Sequence, residues 1–268
     1  MSRIEARFSE LRASGRKGFI PFVTAGDPNL ETSLAICLRL AELGADVIEL
    51  GVPFSDPMAD GPTIQRSSQR ALENGVKLHD VLALAQNFRE ASDVPIVLFS
   101  YFNPIISMGL VDFAEAASQA GIDGLLLTDV IDVEAAAVSQ RLAEHDIDLI
   151  SLVAPTTTDE RLEQICGHAR GFIYAVSRAG ITGARESVSD AAEKLVARTR
   201  KFTHLPIAVG FGISTAEQIA DVGRFADAAV VGSAIVAEIE KHPTDAVAAV
   251  ETFVSRLLPS VAKAGAEL

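Results

Sequence analysis

The 268-residue chain holds only two cysteines, Cys37 and Cys166, and no CxxC pair. This excludes a disulfide framework and a cysteine-based zinc site. Both fall in segments of helical period, where buried, reduced thiols of a cytosolic protein are expected. Basic charge is also scarce: 36 acidic against 23 basic residues give a formal charge of −13. Such a field argues against non-specific binding to nucleic acid or anionic membranes. It argues more weakly against an anionic small molecule, because a local site can override a global field. No apolar run approaches the ~20 residues of a membrane span. The histidines (His79, His145, His168, His204 and His242) lack metal-ligand spacing. No GxSxG nucleophile elbow occurs. No lysine lies inside a strand-like run, so a Schiff-base mechanism has no evident nucleophile.

What is present is ordinary globular material, 49% apolar and 22% charged, enough for a sizeable core. The first residues, MSRIEARFSELRASGRKGF, lack the apolar centre of a secretory signal, and Glu5 and Glu10 are out of place in a transit peptide. Ile4, Phe8 and Leu11 share one helical face, which predicts a surface-packing helix. Short β-branched runs then alternate with longer amphipathic ones. The strand candidates are Phe19–Val23, Val47–Leu50, Ile96–Phe99, Gly124–Leu127, Ile147–Val153, Phe172–Val176, Ile207–Val209 and Ala228–Val231. Helical period marks Leu30–Leu43, Val111–Ala120, Glu134–His145, Asp159–His168 and Ala191–Phe202 between them. Parallel strands need crossover helices, so the pattern predicts a parallel sheet covered on both faces.

A faint repeat sharpens the topology. GADVIELG, GIDGLLLTD and FADAAVVGS each run from a small turn through an Asp into a buried strand. Repeated eightfold, such a unit predicts a (β/α)8 barrel, a single α/β domain over residues 1–268 with an extra N-terminal helix. An open doubly wound sheet is disfavoured, since no GxGxxG follows the first strand.

In a barrel the C-terminal strand ends carry the chemistry. Glu49 alternates with Ile48 and Leu50, which turns it toward the interior with no basic residue nearby in the strand runs. Desolvation there raises a carboxyl toward neutrality, as acid–base work requires. The loop VPFSDPMADGP adds Asp56 and Asp60 ahead of a helix near Pro62; taken alone, either acid is more often a turn or capping residue than a catalyst. SRAGITGARE, from Ser177 to Glu186, is long for a βα connection and suits a loop closing over the barrel mouth. Glycines at the seventh and eighth strand ends, in VGFGIS and VVGSAIV, suggest backbone N–H groups around an anion, as in barrels that bind phosphate there.

IELGVPFSDPMADG, Ile48 to Gly61, resembles the signature of the tryptophan synthase alpha chain family. FIPFVTAGDP, SRAGITG, GFGIS and GSAIV resemble it too, in order and at matching spacing. The resemblance implies retro-aldol cleavage of indole-3-glycerol phosphate to indole and D-glyceraldehyde 3-phosphate in the cytoplasm. It implies no cofactor in this chain; a beta chain carrying pyridoxal phosphate would be the partner in an alpha2beta2 heterotetramer. Residue by residue, the catalytic pair falls on Glu49 and Asp60. Phosphate binding falls on Gly183, Phe211, Gly212, Gly232 and Ser233, and the indole pocket on Phe22, Ile64 and Tyr174. Loop closure and partner contact fall on Asp56, Arg178 and Thr182. Two segments depart from the family pattern. TDVIDVEA, Thr128 to Ala135, keeps Asp129 but lacks the usual prolines, and FSYFNPI carries Ser100 where a bulkier residue is common. Both lie where the resemblance places the partner. A stand-alone lyase releasing free indole, and a non-catalytic phosphate-binding barrel that activates a partner, remain as alternatives.

Overall fold

The computed structural model describes residues 1–130, 132–176, 188–210 and 212–263. Helix α1 (Arg3–Ala13) precedes β1 (Gly18–Thr24), α2 (Leu30–Glu42) and β2 (Ile48–Gly51). Two helices, α3 (Pro62–Glu73) and α4 (Leu78–Arg89), lead to β3 (Ile96–Ser100); two more, α5 (Phe102–Met108) and α6 (Leu110–Gln119), lead to β4 (Gly124–Leu127). The chain continues through α7 (Asp132–Ala143), β5 (Asp148–Val153), α8 (Asp159–His168), β6 (Ile173–Val176), α9 (Val188–Thr199) and β7 (Ile207–Gly210). It ends with α10 (Ala216–Gly223), β8 (Ala228–Val231), α11 (Ser233–Lys241) and α12 (Ala246–Lys263). The strands close in sequence order, β8 pairing with β1, and every pairing is parallel. This is the predicted (β/α)8 barrel with an extra N-terminal helix.

The two-residue period of a strand divides the interior into two levels. Ile20, Val47, Val97, Leu126, Ile150, Phe172, Ala208 and Ala228 fill the lower one. Two residues further along each strand stand Phe22, Glu49, Phe99, Thr128, Leu152, Tyr174, Gly210 and Val230, at the C-terminal end. The lower level is apolar and closed; the upper one holds the polar exceptions.

Helix α1 forms as predicted and packs through the predicted face. Its stripe Ile4, Phe8 and Leu11 is buried against the lower interior level, with the Phe8 and Phe172 rings 5.6 Å apart. The helix is therefore a plug for the N-terminal mouth of the barrel, where strand ends would otherwise expose apolar side chains to water. Ser2 caps it and also donates to Asp148 Oδ2 at 2.7 Å, while Arg3 donates to Asp123 at 2.8 Å. Cys37 is buried in α2 as expected, but Cys166 in α8 is only half-buried.

The repeated Asp has a structural task. Asp46, Asp123 and Asp227 each accept, through Oδ2, a backbone N–H from the first or second residue of the preceding strand: Phe19 at 2.8 Å, Ile96 at 2.8 Å and Ile207 at 2.7 Å. Each returns its own N–H to the carbonyl of the same residue. The Asp thus clamps neighbouring strands at the bottom of the barrel and satisfies a donor that the ladder leaves open.

Candidate active site

The upper interior level forms the floor of a cavity of about 350 Å³ at the C-terminal face. Phe22, Phe99, Leu152, Tyr174 and Val230 supply an apolar base, with the Phe22 and Phe99 rings edge to face at 5.5 Å. Ile64, from the first turn of α3, adds to the wall. Glycine is required where two of these rings approach backbone. A Cβ on Gly51 would lie 2.5 Å from Phe22, and one on Gly210 would lie 2.1 Å from the Tyr174 hydroxyl.

Two carboxyl groups enter this cavity, from different elements and into different surroundings. Glu49 rises from β2 between Phe22 on β1 and Val97 on β3. It is 1% exposed, and its Oε1 has no hydrogen-bond partner among the described residues. Burial without compensation pushes its carboxyl up to about 8. Asp60 sits on the loop between β2 and α3. Partial burial raises it to about 6, while a hydrogen bond from Tyr101 opposes that rise. The Tyr101 hydroxyl donates to Asp60 Oδ2 at 3.2 Å and accepts the Ala59 N–H at 2.9 Å. Gln65 Nε2 holds the Asp60 carbonyl at 2.9 Å. Asp60 is therefore aimed by its neighbours, whereas Glu49 is isolated. Tyr174 lies near both: burial first, then the charges of Glu49 and Asp60, push its phenol well above the ordinary range.

The opposite wall is backbone. Gly232, the residue before α11, and Ser233, its first residue, line the cavity with Gly212. No side chain caps α11, so the N–H groups of its first turn remain open to an anionic ligand. Helix α3 likewise begins at Gly61 without a side-chain cap and lines the same cavity through Pro62 and Thr63. Among the described lining residues there is no lysine, arginine or histidine. Among the described residues there is also no group of three or more side chains able to hold a metal ion.

The structure thus brings Glu49, Asp60, Phe22, Ile64, Tyr174, Gly212, Gly232 and Ser233 around one cavity. Asp56 stands apart, exposed, in an open groove with Phe54, Met58 and Leu72. Gly183, Phe211, Arg178 and Thr182 lie outside the described residues. Sequence reasoning missed Phe99, Thr128, Leu152 and Val230, although the strand period places all four inward. It also missed Tyr101, which follows β3 and carries no periodic signal. Asp129, noted in the divergent TDVIDVEA segment, accepts the Phe102 N–H at 2.8 Å and so caps α5.

The family model described as "Tryptophan synthase alpha chain" matches residues 8–262. The chain is 51% identical to the tryptophan synthase alpha chain of Acidiphilium cryptum over 237 residues, covering 88% of this chain and 86% of that one. It is 48% identical to that of Thioalkalivibrio sulfidiphilus over 265 residues, covering 98% and 99%. The crystal structure of tryptophan synthase subunit alpha from Legionella pneumophila superposes with a TM-score of 0.90 at 36% identity, covering 98% and 99%. A chain of tryptophan synthase from M. tuberculosis, in an aminoacrylate-bound form, gives 0.88 at 34%, covering 97% and 100%. Cavity, fold and sequence agree, and the chain belongs to the tryptophan synthase alpha chain family.

Proposed function

We propose that Glu49 carries the protons and Asp60 stabilises the developing charge as this alpha chain cleaves indole-3-glycerol phosphate to indole and D-glyceraldehyde 3-phosphate, a lyase step of tryptophan biosynthesis. The observation that carries the assignment is the pair of carboxyls in one cavity, raised to different extents. Breaking the bond between indole C3 and the side chain needs a proton on C3 and the loss of one from the adjacent hydroxyl. Glu49, neutral below about 8, gives its proton to C3 and becomes a carboxylate. That carboxylate takes the hydroxyl proton as the carbon–carbon bond breaks and the aldehyde forms, which returns Glu49 to its starting state. Asp60, ionised above about 6, accepts a hydrogen bond from the indole N–H and stabilises the positive charge that develops there. The substrate phosphate is assigned to the N-terminus of α11 and Gly212, with Gly183 and Phe211 as further members from the resemblance. Phe22, Ile64 and Tyr174 are assigned to the indole ring.

The same reading takes residues 1–268 as one barrel domain located in the cytoplasm. No helix among the described residues is long and apolar enough to cross a membrane. A beta subunit is the partner, and an alpha2beta2 heterotetramer, with pyridoxal phosphate in the beta chain, is the assembly proposed. Exposed Met58, Ile106 and Val111, on segments that follow β2 and β3, offer apolar contacts for it, with Asp56 beside Met58. Arg178 and Thr182 are assigned to the closing loop. The test is steady-state release of indole with and without a beta chain. Glu49→Gln should lower turnover by at least ~10²-fold in both conditions, and unchanged turnover would refute the mechanism.

A further inference from the structure

Helix α3 is built unlike its neighbours. In its sequence, PTIQRSSQRALE, the face turned inward is made of small side chains, and the residues it buries are Ser67, Ser68 and Ala71. Large aliphatic or aromatic side chains anchor α1, α2, α4, α6 and α11. Polar bonds hold α3 instead. Ser67 shares a 2.7 Å hydrogen bond with Thr24 of β1, and Asn74 donates to the Pro28 carbonyl at 2.6 Å. Arg70 grips the buried Asp27 with two bonds of 2.8 Å.

The link to α11 is ionic. Arg66 makes two 2.7 Å bonds to Glu240 of α11, and the remaining arm of Arg70 reaches the same carboxylate at 2.7 Å. These hydrogen bonds, that from Arg66 foremost, hold the Glu240 carboxyl down at about 2. The carboxylate therefore stays ionised at neutral pH. Both helices begin at the cavity: α3 directly after Asp60, and α11 with Gly232 and Ser233. Gln65, beside Arg66, ties the Asp60 carbonyl to α3.

We propose that Arg66, Arg70 and Glu240 are positioning residues that fix the start of α3, with Asp60, relative to the start of α11. A substrate gripped by its ring at one helix and its phosphate at the other then meets both ends in register. The proposal rests on the site assigned above. Two-pronged guanidinium–carboxylate bonds fix direction as well as distance. The bonds of Ser67, Asn74 and the other arm of Arg70 tie α3 to β1 and the loop after it, whereas those to Glu240 are the ones that reach α11.

The experiment uses the full chain and Glu240→Ala, which removes the link between α3 and α11 but leaves the Arg70–Asp27 pair in place. Alanine is a good helix former, so α11 persists. The kcat and KM for indole-3-glycerol phosphate are measured together with the separate affinities for glyceraldehyde 3-phosphate and for indole. The expected result is a fall of about tenfold or more in kcat/KM for the whole substrate, with the affinities for the two halves unchanged. Glu240→Gln, which keeps hydrogen-bonding capacity, should recover part of the loss. A purely structural role would lower the melting temperature without this split between whole substrate and fragments. Unchanged kcat/KM in Glu240→Ala, or weakened binding of glyceraldehyde 3-phosphate alone, would overturn the proposal. Glu49→Gln is run alongside: its full activity would overturn the reading of the site itself, whereas its inactivity beside a fully active Glu240→Ala would sink the network alone.

Discussion

Replacing Glu49 by glutamine should stabilise the fold while silencing the reaction, and the stabilisation should depend on pH in a defined direction. In the native barrel the Glu49 carboxyl titrates at about 8, against an ordinary 4.5. In the unfolded chain water restores the ordinary value. Between those values the native state keeps a proton that the unfolded state has released, so stability falls as pH rises through that window. Below it the carboxyl is neutral in both states, and above it ionised in both, with the full penalty present. At about 1.4 kcal/mol per pH unit, the span from 4.5 to about 8 sets a ceiling of about 5 kcal/mol. Water entry around an ionised carboxylate lowers the realised figure, so about 2–5 kcal/mol is expected. Glutamine has the same shape and does not titrate. Urea unfolding of both proteins, followed by circular dichroism at pH 5 and pH 9, reads the difference. The advantage of Glu49→Gln should grow by about 2–4 kcal/mol between the two conditions, since the window from pH 5 to about 8 spans about three units at about 1.4 kcal/mol each. An advantage that stays flat would refute the argument, because it would mean that the native carboxyl is already ionised or paired at pH 5.

The remaining predictions concern the cavity wall and the phosphate end. If neutral Glu49 and ionised Asp60 form the active state, kcat/KM should rise with pH near 6 and fall near 8. Tyr101→Phe removes the bond that opposes the rise of Asp60, so the acid limb alone should move to higher pH in the rate profile. Gly210→Ala places a methyl group 2.1 Å from the Tyr174 hydroxyl; the displaced ring should raise KM, at a cost of about 1–3 kcal/mol in thermal unfolding. Ser233→Asp sets a negative charge at the uncapped start of α11 and should raise KM steeply while leaving the fold intact. It is a cleaner probe than a substitution at Gly212, whose φ of +80° strains any side chain. Because the described lining carries no cation, added salt should leave KM unchanged or lower it by screening the acidic protein; a steep rise would refute backbone-only binding.

The barrel was legible because its evidence is periodic. All eight strand candidates overlap observed strands, and the alternation that turned Glu49 inward also orders the two interior levels. What escaped was contact between distant segments. Ile4, Phe8 and Leu11 announce one apolar face but not what covers it. That this face meets the barrel interior depends on chain closure, which no local pattern encodes. The repeated Asp was visible as a motif, yet its partner N–H groups lie 20 to 27 residues away, on the preceding strand. Tyr101 escaped for the same reason. It aims Asp60 from 41 residues along the chain, and nothing in SYFNP marks a hydrogen-bond donor for a carboxylate.

Charge shows where reading by composition stops. A formal −13 disfavours nucleic acid, yet the substrate is itself an anion. The conflict dissolves once the groups facing the ligand are separated from the sum. Helix N-termini carry partial positive charge that no residue count includes, and two of them, uncapped, open into the cavity. The arginines of α3 are turned away from the ligand toward Asp27 and Glu240, where they neutralise acids and fix helices. An arginine beside Glu49 would favour the carboxylate and draw its pKa back toward the ordinary range, removing the proton that cleavage needs. On the proposed reading, a described lining free of formal positive charge and a phosphate held by backbone are one solution to two demands: an anion must be held, and a carboxyl in the same cavity must stay neutral.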